Sequence, residues 1–263
     1  MTLSIHIVKR LLASVAVAWG LALAAVAAPP PAASTNQFNS HAAFLAAALS
    51  EFLSDTRNFT AGVEVTVPPI GKEPALTLPF GVAAADGKMR WELNLANVKS
   101  ASFPPEAVAS FKDMGLDRMF FVYLPNQPLT LVLPGVKSYI PMPAVPVGGV
   151  RQQAQEKVGR LEKREIGRET IAGQPTIKYA VKVPGDDGTA TVWQATNLQN
   201  LPVKLVITKE QQTYQFLLSN VRLGAPDPRY FEIPAGLTKM ADLNAVIQAA
   251  TMRALGGVLG GLK

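Results

Sequence analysis

The segment Asp86-Gly87-Lys88-Met89-Arg90-Trp91-Glu92-Leu93-Asn94-Leu95 carries the pattern that organises this chain. Met89, Trp91, Leu93 and Leu95 alternate with Arg90, Glu92 and Asn94. Successive side chains of a strand point to opposite faces, so this period of two predicts a half-buried β-strand, apolar on one side and polar on the other. Asp86-Gly87 in front of it is a hairpin signal, because both residues accept the positive φ of a tight two-residue turn. An antiparallel partner is therefore expected just upstream, over Leu76–Ala84.

The same pattern continues in both directions. Ala61, Val63, Val65 and Val67 alternate with Gly62, Glu64 and Thr66. Strand-like runs follow at 119–124, 129–133, 137–140, 161–168, 177–183, 189–194, 203–208 and 213–220. Pro125-Asn126, Pro134-Gly135 and Gly185-Asp186-Asp187-Gly188 supply turns between them. The total is about eleven strands. No stretch reads as a strand–helix–strand crossover, so a parallel sheet is not expected. Short consecutive strands with turn signals predict a mainly β protein, one antiparallel sheet curled into a barrel or sandwich.

Helical spacing occurs in three places. Phe44, Leu45, Ala48, Leu49, Phe52 and Leu53 recur at i, i+3/i+4 after a capping Ser40. Pro104-Pro105 opens a short amphipathic helix through Val108, Phe111 and Met114, ended near Gly115. Leu243, Val246, Ile247, Ala250 and Ala254 share a face in an apolar tail, weakened by Gly256-Gly257 and Gly260-Gly261. That tail is read either as a helix packed back on the sheet or as a segment touching lipid or a partner.

The first 27 residues read as a signal peptide: Lys9 and Arg10, then an uncharged apolar run, then Ala25-Val26-Ala27 as a small-x-small cleavage site. Residues 28–38 read as a proline- and alanine-rich tether, 39–239 as the folded domain and 240–263 as the C-terminal tail. A periplasmic location is expected. Removing Lys9 and Arg10 leaves 23 bases against 19 acids, a net charge of +4. That permits peripheral contact with an anionic membrane surface. No dense Lys/Arg cluster interleaves with aromatics, so no nucleic-acid partner is expected.

Composition excludes much chemistry. The chain has no cysteine and two histidines, so thiolate metal sites, disulfides, cysteine nucleophiles and multi-histidine centres are ruled out. Of the histidines, His6 lies in the signal and His41 at the start of the first helix. Phosphate-binding glycine loops and a GxSxG elbow are absent. A calcium loop would need more oxygen ligands than Asp186-Asp187 supplies. Two remote carboxylates acting as a glycosidase pair are not constrained by spacing, and no pair stands out. No enzyme activity and no cofactor are expected.

The sequence resembles the LolA/LolB lipoprotein-carrier superfamily. Asp86-Gly87-Lys88-Met89-Arg90-Trp91-Glu92 is similar to that family's DGK-x-R/W hairpin. Three further stretches look like a related, little-characterised exported family of the same expected fold: Gly167–Gly173 leading into Lys178-Tyr179; Val192-Trp193-Gln194 with Leu201-Pro202-Val203-Lys204; and Asp227-Pro228-Arg229-Tyr230-Phe231-Glu232-Ile233-Pro234. The resemblance implies a half-open β-barrel covered by helices, whose apolar hollow holds acyl chains of a lipid or a lipoprotein. The chain lacks the lipidated cysteine of a LolB-like protein, and its tail past Met240 extends beyond the carrier pattern.

On that reading Trp91 and Leu93 line the hollow, Phe103 and Phe111 belong to a lid, and Phe120, Tyr123, Leu131, Tyr139 and Met142 line its mouth. Lys88 and Arg90, on the other side of the strand, are headgroup candidates, with Arg90 solvent-facing or at a rim. Residue by residue, ordinary core is the commoner reading of the same apolar side chains. A non-catalytic envelope adaptor with a filled core is the alternative.

Overall fold

The computed structural model describes residues 58–69, 74–98, 105–125, 127–142, 162–182, 188–209 and 211–260. The proposed signal, the tether, the first helix, Phe103 and the turn at Asp186-Asp187 lie outside these residues.

The described residues form one open, curled sheet of twelve strands. They are β1 (Phe59–Val67), β2 (Leu76–Ala85), β3 (Lys88–Asn94), β4 (Arg118–Tyr123), β5 (Thr130–Leu133), β6 (Ser138–Pro141), β7 (Glu162–Ile171), β8 (Gln174–Lys182), β9 (Thr189–Ala195), β10 (Leu201–Lys209), β11 (Gln212–Leu223) and β12 (Thr238–Lys239). The order across the sheet is β12-β6-β5-β4-β3-β2-β1-β11-β10-β9-β8-β7. It is built from two meanders, β1 to β6 and β7 to β11, in which sequential strands are neighbours. One antiparallel seam between β1 and β11 joins them, pairing Phe59 with Leu223 and Val65 with Phe216.

The strand count exceeds the expected eleven by β12, which lies parallel to β6 over two residues. This pairing escapes a periodicity reading because two residues have no period. It forms because β6's outer edge is otherwise unpaired: Thr238 and Met240 donate their N–H groups to the carbonyls of Lys137 and Tyr139.

The Asp86-Gly87 turn forms as expected, with φ of 49° and 78°. From it β3 runs to Asn94; Leu95 starts a 3-10 turn instead of continuing the strand, and the Asn94 side chain accepts its Ala96 N–H. Alternation then sorts the side chains. On the inner face Ala61, Val82, Trp91, Phe121, Leu131 and Ile140 form one row across six strands. Val63, Phe80, Leu93 and Met119 form the next. These rows belong to one apolar cluster that continues through β9, β10 and β11, with Leu78, Leu93, Val192 and Leu201 fully buried.

Two helices lie against this face. Helix α1 (Pro105–Asp113) contributes Phe111, with Val108 and Met114 at its edge. Its end is tied to the sheet: the Leu95 N–H donates to the Asp117 carbonyl, and Gly115 meets Gly135 of the β5–β6 connection so closely that a Cβ on Gly135 would stand 2.3 Å from the Gly115 oxygen. Helix α2 (Leu243–Gly260) is capped by Asp242, whose carboxylate accepts the Ala245 N–H. It sends Val246 and Ala250 into the central cluster.

A strap, residues 227–239, covers the outer face from the end of β2 across to β6. Phe231 packs on Ala83 and Ala85. Ile233 and Leu237 pack on Phe120, Val122, Val132 and Tyr139. Further along the outer face, Trp193, Ala195 and Val203 form a separate buried cluster.

Candidate functional site

The candidate residues divide between the two faces. Trp91, Leu93, Phe111, Tyr123, Leu131 and Met142 come together in the inner cluster. Leu93, Phe111 and Leu131 are buried deep in it, whereas Trp91, Tyr123 and Met142 are half-buried. Trp91 meets Phe80 edge-on, ring centroids 6.1 Å apart at 79°. Phe120 and Tyr139 do not join this group. They sit on the opposite face under the strap, because each lies one residue out of phase with the inner row.

A corner of the inner face stands out. Tyr123 ends β4, Leu129 precedes β5 and Met142 follows β6, and the Met142 N–H donates to the Leu129 carbonyl at 2.7 Å. All three are half-buried and all three pack on the central cluster. The opposite end of the same strands is closed by Leu95, Leu116 and Val136, each nearly inaccessible, and α1 is fastened there. The helix expected to lid the mouth is thus anchored at the far end from Tyr123 and Met142.

Lys88 and Arg90 project from the outer face, so neither borders the inner apolar surface. Arg90 is largely covered rather than open to solvent, its side chain 17% exposed. The guanidinium lies 3.7 Å over the Phe120 ring. It donates to the Tyr230 carbonyl at 3.1 Å and to Glu92 at 2.9 Å. Its Nε–H is buried and meets no acceptor among the described residues. Asp227 places Tyr230 by capping the 3-10 turn Pro228–Phe231, accepting the Arg229 N–H at 2.9 Å. The Arg229 guanidinium closes on the same carboxylate at 2.6 Å, holding Asp227 below the usual carboxylate range and Arg229 above its own ordinary value.

Beside Arg90 the strap stops, and a groove of about 430 Å³ opens along β1 and β2. Its floor is low where Gly62 and Gly81 are directly paired, with Thr60 and Ala83 in the next row. Arg90, Glu92 and Tyr230 rise on one side, Asn220 and Arg222 on the other. A bulge shapes the second wall: β11 carries an extra residue opposite Ala61, and Asn220 takes a left-handed φ of 51°. Sequence reading missed this groove. Two glycines in separate strands were its only signal, and their pairing depends on register.

Sequence reading also missed a polar clasp at the β7–β9 end. Glu169 accepts the Trp193 indole N–H at 2.6 Å and pairs with Lys178 at 3.3 Å. Lys178 and Lys204 lie 5.0 and 4.7 Å from the Trp193 ring centroid. The indole bond first, then Lys178, holds the Glu169 carboxyl below its usual range. These residues fall in two of the family-like stretches, which gives those stretches a structural reason.

Fold and site together define a class: an open, curled, mostly antiparallel sheet with an apolar inner face backed by two helices among the described residues. Among the described residues no three His, Cys, Asp or Glu side chains gather where a metal ion would bind. No helix of these residues is long and apolar enough to cross a membrane. No family model and no curated protein matches the chain. Among solved structures it is similar to the Pseudomonas aeruginosa MucA/MucB complex (14% identity, TM-score 0.43, 72% of this chain and 60% of that one). It is also similar to the Mycobacterium tuberculosis lipoprotein LppX (12%, 0.36, 66% and 92%) and to LprF from Mycobacterium bovis (19%, 0.37, 68% and 94%). The chain spans about 60% of the length of the MucB-containing chains it matches.

Proposed function

We propose that the protein is an exported, non-catalytic binding protein that takes an acyl chain of a lipid or lipidated ligand against its inner face. One observation carries the reading. The corner formed by Tyr123, Leu129 and Met142 is apolar, half-buried and continuous with the buried rows behind it, while the other end is closed. Each methylene moved from water to such a surface contributes about 0.8 kcal/mol, so eight of them gain about 6 kcal/mol before ordering costs. Binding is then partition, with Trp91 as the next apolar surface inward. Periplasmic residence and the absence of chemistry belong to the same proposal.

The test is native purification of the full chain, solvent extraction and mass spectrometry, together with uptake of a fluorescent fatty acid. Co-purifying lipid and saturable uptake support the reading; failure of both removes it. The alternative, an envelope adaptor with a filled core, has its own support in α2, whose Val246 and Ala250 plug the central cluster with protein side chains. It predicts no uptake and an intact fold.

A further inference from the structure

We propose that the outer-face groove is a second binding site, independent of the acyl reading, and that it takes a small hydroxylated acid: a sugar acid or sugar phosphate. The two sites lie on opposite faces of one sheet, so a ligand in one does not reach the other.

The chemistry of the walls sets the ligand class. Arg222 has no acidic or hydrogen-bonding partner among the described residues and stands across the floor from Arg90. A guanidinium offers a planar fork that matches carboxylate or phosphate oxygens. Arg90 is only partly neutralised by Glu92, and its buried Nε–H lacks an acceptor. Two arginines against one glutamate leave the groove positive. Glu92 also faces it, and a carboxylate accepts hydrogen bonds but donates none, so the ligand must bring donors as well as negative charge. Inorganic phosphate carries its O–H donors on the same group that must meet the arginines; ring hydroxyls place donors away from the charge, toward Glu92.

The floor sets the shape. Paired strands lie about 4.8 Å apart, and where Gly62 and Gly81 stand side by side the floor is two strands wide and carries no side chain of its own, with Thr60 and Ala83 in the adjoining row and the Ser219 hydroxyl beside Gly62. A flat ring fits against such a surface, and Tyr230, 49% exposed, offers it an aromatic wall. Gly81 has no need to be glycine for the fold. A Cβ there meets nothing nearer than Glu92 Cβ at 3.9 Å, and its φ is not positive. Its missing side chain leaves room for something else.

The experiment uses the full chain labelled with 15N-glycine. Glucuronate, glucose 6-phosphate, glucose and inorganic phosphate are titrated separately while the Gly62 and Gly81 amide signals are followed. The expected result is saturable shifts at both glycines with glucuronate or glucose 6-phosphate, and binding at least tenfold weaker for glucose and for phosphate. Gly81→Val, which fills the floor, abolishes the shifts at Gly62. Arg222→Ala weakens binding at least tenfold with the fold unchanged by circular dichroism. Equal binding of inorganic phosphate overturns the hydroxylated-acid assignment. Absence of shifts with all four probes, or undiminished binding to Gly81→Val, overturns the site. Fatty-acid uptake is measured on the same variants; its loss or survival bears on the inner face alone.

Discussion

Two glycines in this protein do opposite things, and substitution separates them. Gly135 is packed against Gly115, and a methyl group there overlaps backbone, which cannot swing aside. Gly135→Ala is expected to cost about 1–3 kcal/mol in chemical denaturation, the range for overpacking a close contact. Gly81→Ala fills open space in an extended strand, so stability stays unchanged or rises by about 0.5–1 kcal/mol. Glu169 adds a pH dependence. Its carboxyl is held below the usual value of 4.5 by the Trp193 N–H and Lys178. A depressed pKa stabilises the fold above the unfolded-state value, and that contribution is lost as the pH falls through the folded-state value. Denaturation midpoints of the native chain should therefore fall more steeply below about pH 4.5 than those of Glu169→Gln. Parallel curves for the two proteins would remove Glu169 from this role.

The strands follow their sequence signals closely, and the reasons for each departure are local. The Asp86-Gly87 hairpin and the alternation of Met89, Trp91 and Leu93 placed β2 and β3 almost to the residue. Alternation also assigns Arg90 to the outer face. It does not say what lies over that face, so the covering of Arg90 by Tyr230 and Phe120 was not legible. Phe120 and Tyr139 show the same gap: aromatic content marked them as apolar, but only their register against Phe121 and Ile140 decides the side. Helix α1 was legible from Pro105 and Gly115, whereas its anchoring at the closed end rests on a backbone contact with no periodicity. At the open corner, Tyr123→Asp places a charge on half-buried apolar surface. It is expected to reduce fatty-acid uptake at least tenfold, with near-native secondary structure by circular dichroism. Unchanged uptake would move the acyl site elsewhere.

Taken as one body, the sheet depends on both helices and the strap for its apolar faces. Helix α2 is part of that core. Val246 is completely buried and Ala250 nearly so, which makes the tail a structural element rather than a free appendage. Val246→Ala should lower stability by about 1–3 kcal/mol. Deleting 241–263 should expose the cluster and bind a hydrophobic dye, so loss of a partner after that deletion would not by itself locate an interface. An unaltered denaturation curve for the deletion would show that α2 contributes nothing to the core. The curled antiparallel architecture was readable because it repeats one rule, period two between turns, along most of the chain. The groove was not, since its walls come from residues as distant as Thr60 and Arg222.

The seam between β1 and β11 also governs when the molecule is finished. Each meander zips from local hairpins, but Phe59 waits for Leu223. During synthesis the first six strands form with one long edge still open, and the β11 partner arrives only when nearly the whole chain has emerged. A late-closing zipper of this kind leaves a strand edge exposed until the chain is nearly complete.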